Sequence, residues 1–145
     1  MNRYQGSFLF KAPLEKVWAV WSDVEKMPEW VHGVEAVEPG EGEMGEGYTW
    51  KEMCQFDQLP VPLEHSVTQF EAQRRAVIYT VLPMGGTMEK TVTFEPEAGG
   101  TRVHIQAEWD LGMIGAFLKA ERFREKVIEG LEKTAERWIQ TAEKS

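Results

Sequence analysis

The groups able to carry chemistry in this 145-residue sequence are one cysteine, three histidines and a few acids and amines on strand-like segments. Cys54 with His65 would make a thiolate–imidazole pair. No nucleophile motif surrounds Cys54, however, and it shares the apolar register of Tyr48, Trp50 and Phe56, where an inert buried cysteine is the usual outcome. There is no Gly-x-Ser-x-Gly elbow. His32, His65 and His104 are scattered. His104 and Glu108 stand four apart on a strand, ~13 Å, too far to share a metal. No metal site and no cofactor is expected.

More informative are polar residues inside otherwise apolar registers. Glu52 falls in line with Tyr48, Trp50, Cys54 and Phe56; His65 and Gln69 with Leu63 and Val67; Lys90 with Met88, Val92 and Phe94. On unbulged strands these four side chains point to the covered face of a sheet. A charge there costs several kcal/mol unless it is paired, hydrated or used on a ligand. A one-residue slip would turn them all outward, and both registers stay open at this point.

The elements that must position them follow from periodicity. Residues 3–11 read as a strand around Phe8 and Phe10. Pro13 opens a helix with Val17, Trp18 and Trp21 on its apolar face. Ser22-Asp-Val-Glu25 has the form of a capping box for a second short helix through about Trp30. Val34, Ala36 and Glu38 alternate in a short strand ended by Pro39-Gly40, and the glutamate- and glycine-rich 41–47 reads as a solvated turn. Further strands are expected at Tyr48–Phe56, Leu63–Ala72, Ala76–Leu82, Thr87–Phe94 and Thr101–Leu111, with Leu59-Pro-Val-Pro62 among the breaks between them. In the last strand Val103, Ile105, Ala107, Trp109 and Leu111 share one face while Arg102, His104, Gln106, Glu108 and Asp110 share the other. The sheet therefore has one wet and one covered face. A long helix from about Gly115 to Ala142 carries Ala116, Ala120, Phe123, Val127, Leu131, Thr134, Trp138 and Ala142 in one stripe, and Glu129 is spaced to pair with Lys133. The expected fold is α+β: a curved antiparallel sheet of about seven strands around a C-terminal helix, in one domain spanning 1–145. A sheet wrapping a helix can leave a space between them, where small apolar ligands bind.

Composition narrows the partners. Lys and Arg number 16 against 24 Asp and Glu, for a net charge of −8. That balance argues against nucleic acid as a partner and against charge-driven docking on anionic lipid. No apolar run nears the ~20 residues of a membrane span, and three consecutive apolar residues near the N-terminus are too few for a signal peptide, so the cytoplasm is the expected location. Six Trp, seven Phe, three Tyr and seven Met exceed what a core this small requires. Trp30, Trp50, Trp109, Phe123 and Val127 are therefore candidate cavity walls, with Met as adaptable lining.

Phe10–Trp30 (FKAPLEKVWAVWSDVEKMPEW), with Ala12-Pro13, Val17-Trp18, Asp23 and Pro28-x-Trp30, resembles the N-terminal signature of the START-like superfamily. The resemblance is to its polyketide cyclase/dehydratase and lipid-transport branch, related in fold to the birch-pollen allergens. The Gly45–Tyr48 turn, the Gly99–Val103 entry to the last strand and the long terminal helix match in position. The resemblance implies a helix-grip fold with a cavity between sheet and helix, and it implies no particular reaction. A lysine in the cavity of plant hormone receptors of this superfamily holds a ligand carboxylate, and Lys90 is loosely similar in placement. Three functions are then open. The first is a binder of a small hydrophobic ligand oriented by Glu52, His65, Gln69 or Lys90. The second is a cyclase-type enzyme using His65, Glu52 and Tyr79. The third is a protein-interaction adaptor with a filled interior.

Overall fold

The strands lie in the order β1-β7-β6-β5-β4-β3-β2, every neighbour antiparallel, in a computed structural model that describes residues 2–144. They are β1 Arg3–Phe10, β2 Val34–Pro39, β3 Thr49–Phe56, β4 Leu59–Glu71, β5 Arg75–Val81, β6 Thr87–Glu97 and β7 Gly100–Asp110. Helix α1 spans Leu14–Ser22, a tight turn covers Val24–Lys26, α2 spans Met27–Trp30, and α3 runs from Ala120 to Lys144. This is the α+β arrangement, a curved antiparallel sheet around a terminal helix, that the strand periodicity predicts, and the helix-grip form that the family resemblance implies. β7 keeps the expected alternation, with Val103, Ile105, Ala107 and Trp109 buried.

Helix α3 is fastened at its C-terminal half. The Trp138 indole donates to the Val17 carbonyl at 3.0 Å, and its ring meets Phe10, Trp30 and Phe94 at centroid distances of 5.0, 5.3 and 5.8 Å. Glu143 accepts from the Lys11 backbone N–H at 2.8 Å, and Thr134 Oγ1 accepts from His32 N–H at 2.9 Å. The helix backbone comes close to α1, α2 and β1. Its N-terminal half spans the concave face of the sheet, where Phe123 and Val127 join a smaller apolar cluster with Ala107, Trp109 and Leu111. The Glu129–Lys133 pair forms on the outside at 2.8 Å.

Several local expectations are corrected. The capping box is absent: Ser22 ends α1, and Asp23 (φ −91°, ψ 88°) precedes the tight turn with no side-chain bond to it. Leu59-Pro-Val-Pro62 is strand, because the reversal happens one step earlier at Asp57-Gln58, both left-handed (φ 51° and 69°). Val67 N–H donates to Tyr48 O, so odd-numbered amides of this part of β4 face β3 and even-numbered ones face away. Pro60 and Pro62 thus direct their missing donors to a side where β5, which pairs only from Glu64 onward, has not begun. A bulge in β2 between Val34 and Ala36 leaves Ala36 exposed and turns Val37 inward. The long helix starts at Ala120; Gly112–Ala116 is a tight turn, and Ala116 and Ala120 are exposed.

Candidate functional site

Between the sheet and α3 lies a cavity of about 740 Å³. That is within the usual range for a small-molecule site. Its walls are mainly apolar: Met27 and Trp30 from α2, Ile78 from β5, Met88 and Val92 from β6, and Phe123, Val127 and Leu131 from α3 among them. Among the described residues its ionisable oxygen and nitrogen groups are Glu52, Asp57, His65 and Lys90, with Thr80 and Thr134 as hydroxyls. Asp57 belongs to the β3–β4 turn, and the Thr134 hydroxyl is engaged by the His32 amide. The remaining four form one group on the inner face of the sheet.

That group is built by strand register. Trp50, His65, Thr80 and Met88 are successive cross-strand partners on β3, β4, β5 and β6, which places their side chains in one row on one face. His65 stacks on Trp50 with centroids 4.7 Å apart and planes at 28°. Two residues along β3 on the same face, Glu52 brings Oε1 to 2.7 Å from His65 Nε2 and accepts from the Trp50 indole at 3.4 Å. His65 Nδ1 meets Thr80 Oγ1 at 2.7 Å. The two ionisable side chains are only 7% (Glu52) and 8% (His65) exposed. Lys90, opposite Ile78, supplies an ammonium with no hydrogen-bond or ion-pair partner at contact distance among the described residues; Glu52 acts on it from farther off.

Electrostatics follow from burial and these partners. Burial pushes Glu52 up, but the hydrogen bond and charge of His65, then Lys90 and the Trp50 indole, outweigh it and leave the carboxyl below its ordinary value. Burial pulls Lys90 down, and the Glu52 charge restores only part of that. An ionised Glu52 can only accept, so Nε2 of His65 carries the proton facing it. Nδ1 can then accept from the Thr80 hydroxyl or donate to it, because the hydroxyl rotates.

Trp30, Trp50, Glu52, His65, Lys90, Phe123 and Val127 all line the cavity. Gln69 does not. Val67 pairs with Ile78 and Gln69 with Val77, so Thr68 is an extra residue that flips the register. Gln69 therefore lies on the exposed face, accepting from Arg75 at 2.6 Å, while Phe70 turns in against Trp18. Tyr79 stands on the outer face, 38% exposed, away from His65 and Glu52. Trp109 is buried in the smaller cluster, and its cross-strand partner Met88 takes the lining position. Cys54 lines the cavity four residues from the level of the Trp50–His65 pair. Burial first, then the Glu52 and Glu35 charges, push its thiol up to about 11, so no Cys54–His65 nucleophile forms. Thr80 belongs to the group although no motif marks it; the signal for it is its alternation with Ala76 and Ile78 on the covered face of β5. Among the described residues no cluster of metal-ligating side chains occurs, and no helix is long and apolar enough to cross a membrane.

A seven-stranded antiparallel sheet gripping a C-terminal helix across an apolar chamber defines the class: a START-like, helix-grip protein of the hydrophobic-ligand-binding type. The chain belongs to the polyketide cyclase/dehydrase and lipid transport family, whose sequence model matches residues 1–140. Among solved structures it is similar to TTHA0849 from Thermus thermophilus, at 19% identity and a TM-score of 0.79 over 97% of this chain and 96% of that one. It is similar to Ara h 8.0201 at 11% identity and a TM-score of 0.78, covering 99% of each chain. CV1439 from Chromobacterium violaceum is 16% identical with a TM-score of 0.76, again over 99% of each chain. These likenesses carry the fold alone. No curated protein matches the sequence.

Proposed function

We propose that the protein binds a small, mostly apolar molecule with one polar group, a lipid, polyketide or isoprenoid in character, inside this cavity. The observation that carries the reading is a chamber of about 740 Å³ with apolar walls and a single inward polar group made by Glu52, His65, Thr80 and Lys90. Burial of ligand surface supplies the affinity, at about 25 cal/mol per Å². Lys90 supplies orientation: an ammonium without a contact partner favours an anionic or strongly accepting group on the ligand. The adaptor alternative requires a filled interior, and the cavity runs against it.

The test is displacement of anilinonaphthalene sulfonate, an apolar anionic probe, together with native mass spectrometry of the purified protein. Saturable 1:1 binding that is weakened in Lys90→Met is expected. Absence of any saturable binding in the wild type refutes the reading.

A cyclase-type enzyme is the second reading, favoured by one observation: His65 and Glu52 are a titratable pair 2.7 Å apart inside the cavity. His65 would take a proton from a bound poly-β-keto chain and later deliver it to the departing hydroxyl, with Glu52 stabilising the imidazolium. A binder returns its ligand with unchanged mass. An enzyme changes it, and Glu52→Gln then abolishes the change while retaining binding.

A further inference from the structure

β3, β5 and β7 run in the same direction, each two antiparallel steps from the next, so the connections that follow them gather at one end of the sheet. Those connections carry the most exposed large apolar side chains of the protein. Leu59 follows the β3–β4 turn and is 65% exposed, Met84 between β5 and β6 is 46% exposed, and Met113 and Phe117 between β7 and α3 are 67% and 75% exposed. Leu59, Met84 and Phe117 also line the cavity, so they form the rim of its open end. The rim is continuous: Gly112 (φ 57°) sits so close to Gly85 that a Cβ would lie 2.6 Å from its carbonyl carbon. Apolar side chains this exposed, collected around an opening, mark a surface that meets an apolar partner.

We propose that this rim docks on a phospholipid bilayer, with Phe117, Met113, Leu59 and Met84 entering the acyl boundary and the cavity opening onto hydrocarbon. Two observations select a bilayer over a protein. The apolar groups stand on three separate turns around a hole, a shape that a fluid hydrocarbon accommodates without a complementary surface. The charge distribution fits an uncharged lipid surface: residues 57–58, 82–86 and 111–119 hold one acid, Asp57, and one base, Lys119, with Asp110 adjoining them. In a chain of net charge −8, the rim therefore carries little of the excess acid and needs no anionic headgroup to dock. Docking of this kind is driven by apolar insertion, which the overall charge does not oppose, and it stands whichever molecule fills the cavity.

The test is flotation of the full chain with phosphatidylcholine vesicles, comparing wild type, Met113→Glu, Phe117→Glu and Leu9→Glu. Leu9 is 42% exposed on β1, near the other end of the sheet, and serves as a control. Wild type and Leu9→Glu should float alike, while each rim variant loses roughly ten-fold or more in partitioning, the amount expected for withdrawing one large apolar group. Met113 does not line the cavity, so Met113→Glu should also keep the wild-type affinity for anilinonaphthalene sulfonate, which separates loss of docking from loss of the pocket. The proposal is overturned if wild type does not float, if the rim variants float as wild type does, or if binding requires anionic lipid. It is equally overturned if wild type is a dimer that Phe117→Glu dissociates, since a second copy then covers the rim.

Discussion

Replacing Lys90 by methionine removes a charge that the fold holds without a contact partner. Exchanging a buried charge for an apolar side chain of similar volume is often stabilising by about 1–4 kcal/mol. Lys90 is only partly buried by surface area, because the cavity gives its ammonium some hydration, so about 1–2 kcal/mol is the relevant part of that range. Against this stands the lost attraction to Glu52, which acts from beyond contact and is worth about 1 kcal/mol or less in a hydrated cavity. Glu52 keeps His65 at 2.7 Å, so its own charge remains compensated. The net expectation at neutral pH is a gain of about 0.5–1.5 kcal/mol, measured as a higher urea midpoint with an unchanged m value. The pH dependence has a definite sign. The folded-state pKa of Lys90 lies below its unfolded one, so its penalty is fully present below the folded value and fades as pH rises towards the ordinary lysine value, where folded Lys90 has shed its proton. The advantage of Lys90→Met should therefore shrink in alkaline solution. Anilinonaphthalene sulfonate should stabilise wild type more than the variant. If Lys90→Met lowers stability by more than about 1 kcal/mol, or if the difference between the two proteins does not change with pH, Lys90 is a structural cation and the argument for its ligand role fails.

Three further outcomes test other parts of the structure. Cys54, with its thiol pushed up to about 11, should react with iodoacetamide at pH 8 roughly two orders of magnitude slower than a free cysteine, and bound probe should slow it further; a rate equal to that of glutathione contradicts the burial. Gln58→Gly places glycine at the second left-handed position of the β3–β4 turn and should raise stability by about 0.5–1 kcal/mol in urea titration; a loss would mean that the Gln58 side chain holds the turn. Trp138→Phe removes the indole bond to the Val17 carbonyl and thins the contacts to Phe10 and Trp30, for an expected loss of about 1–3 kcal/mol by the same measurement, and a variant within about 0.5 kcal/mol of wild type would remove Trp138 as the anchor of α3.

The sequence makes the architecture legible because the strands obey their period. β7 alternates over its whole length, and the stripe from Phe123 to Ala142 can bury only against a sheet. The same alternation singles out Glu52, His65 and Lys90 as polar residues in apolar registers but leaves inward and outward open, and the strand pairing turns these three inward. Gln69 turns outward instead, because one extra residue at Thr68 inverts everything after it, and nothing in the string Val-Thr-Gln-Phe marks a bulge. Tyr79 has a phenol suited to acid–base chemistry, but its register, between Ile78 and Thr80, puts it on the opposite face. Pro60 and Pro62 read as a break because proline cannot donate, and only the late start of β5 shows that no donor is missed there. Trp109 has the right face and the wrong depth: alternation reports which side a residue takes but not whether a neighbour fills the space in front of it.

The uneven fastening of α3 makes the helix asymmetric in its cohesion. The last turns are tied to α1, α2 and β1 by Trp138, Glu143 and Thr134, while the turns around Phe123 and Val127 face a chamber where other domains have side chains. On the proposed binding reading, a molecule settling there would pack against the first half of the helix and add to its cohesion. Amide exchange in residues 120–131 would then register occupancy directly, and the unfolding temperature would climb with ligand concentration as the logarithm of 1 + [L]/Kd. The helix is in this sense the needle of a gauge, fixed at one end and read at the other.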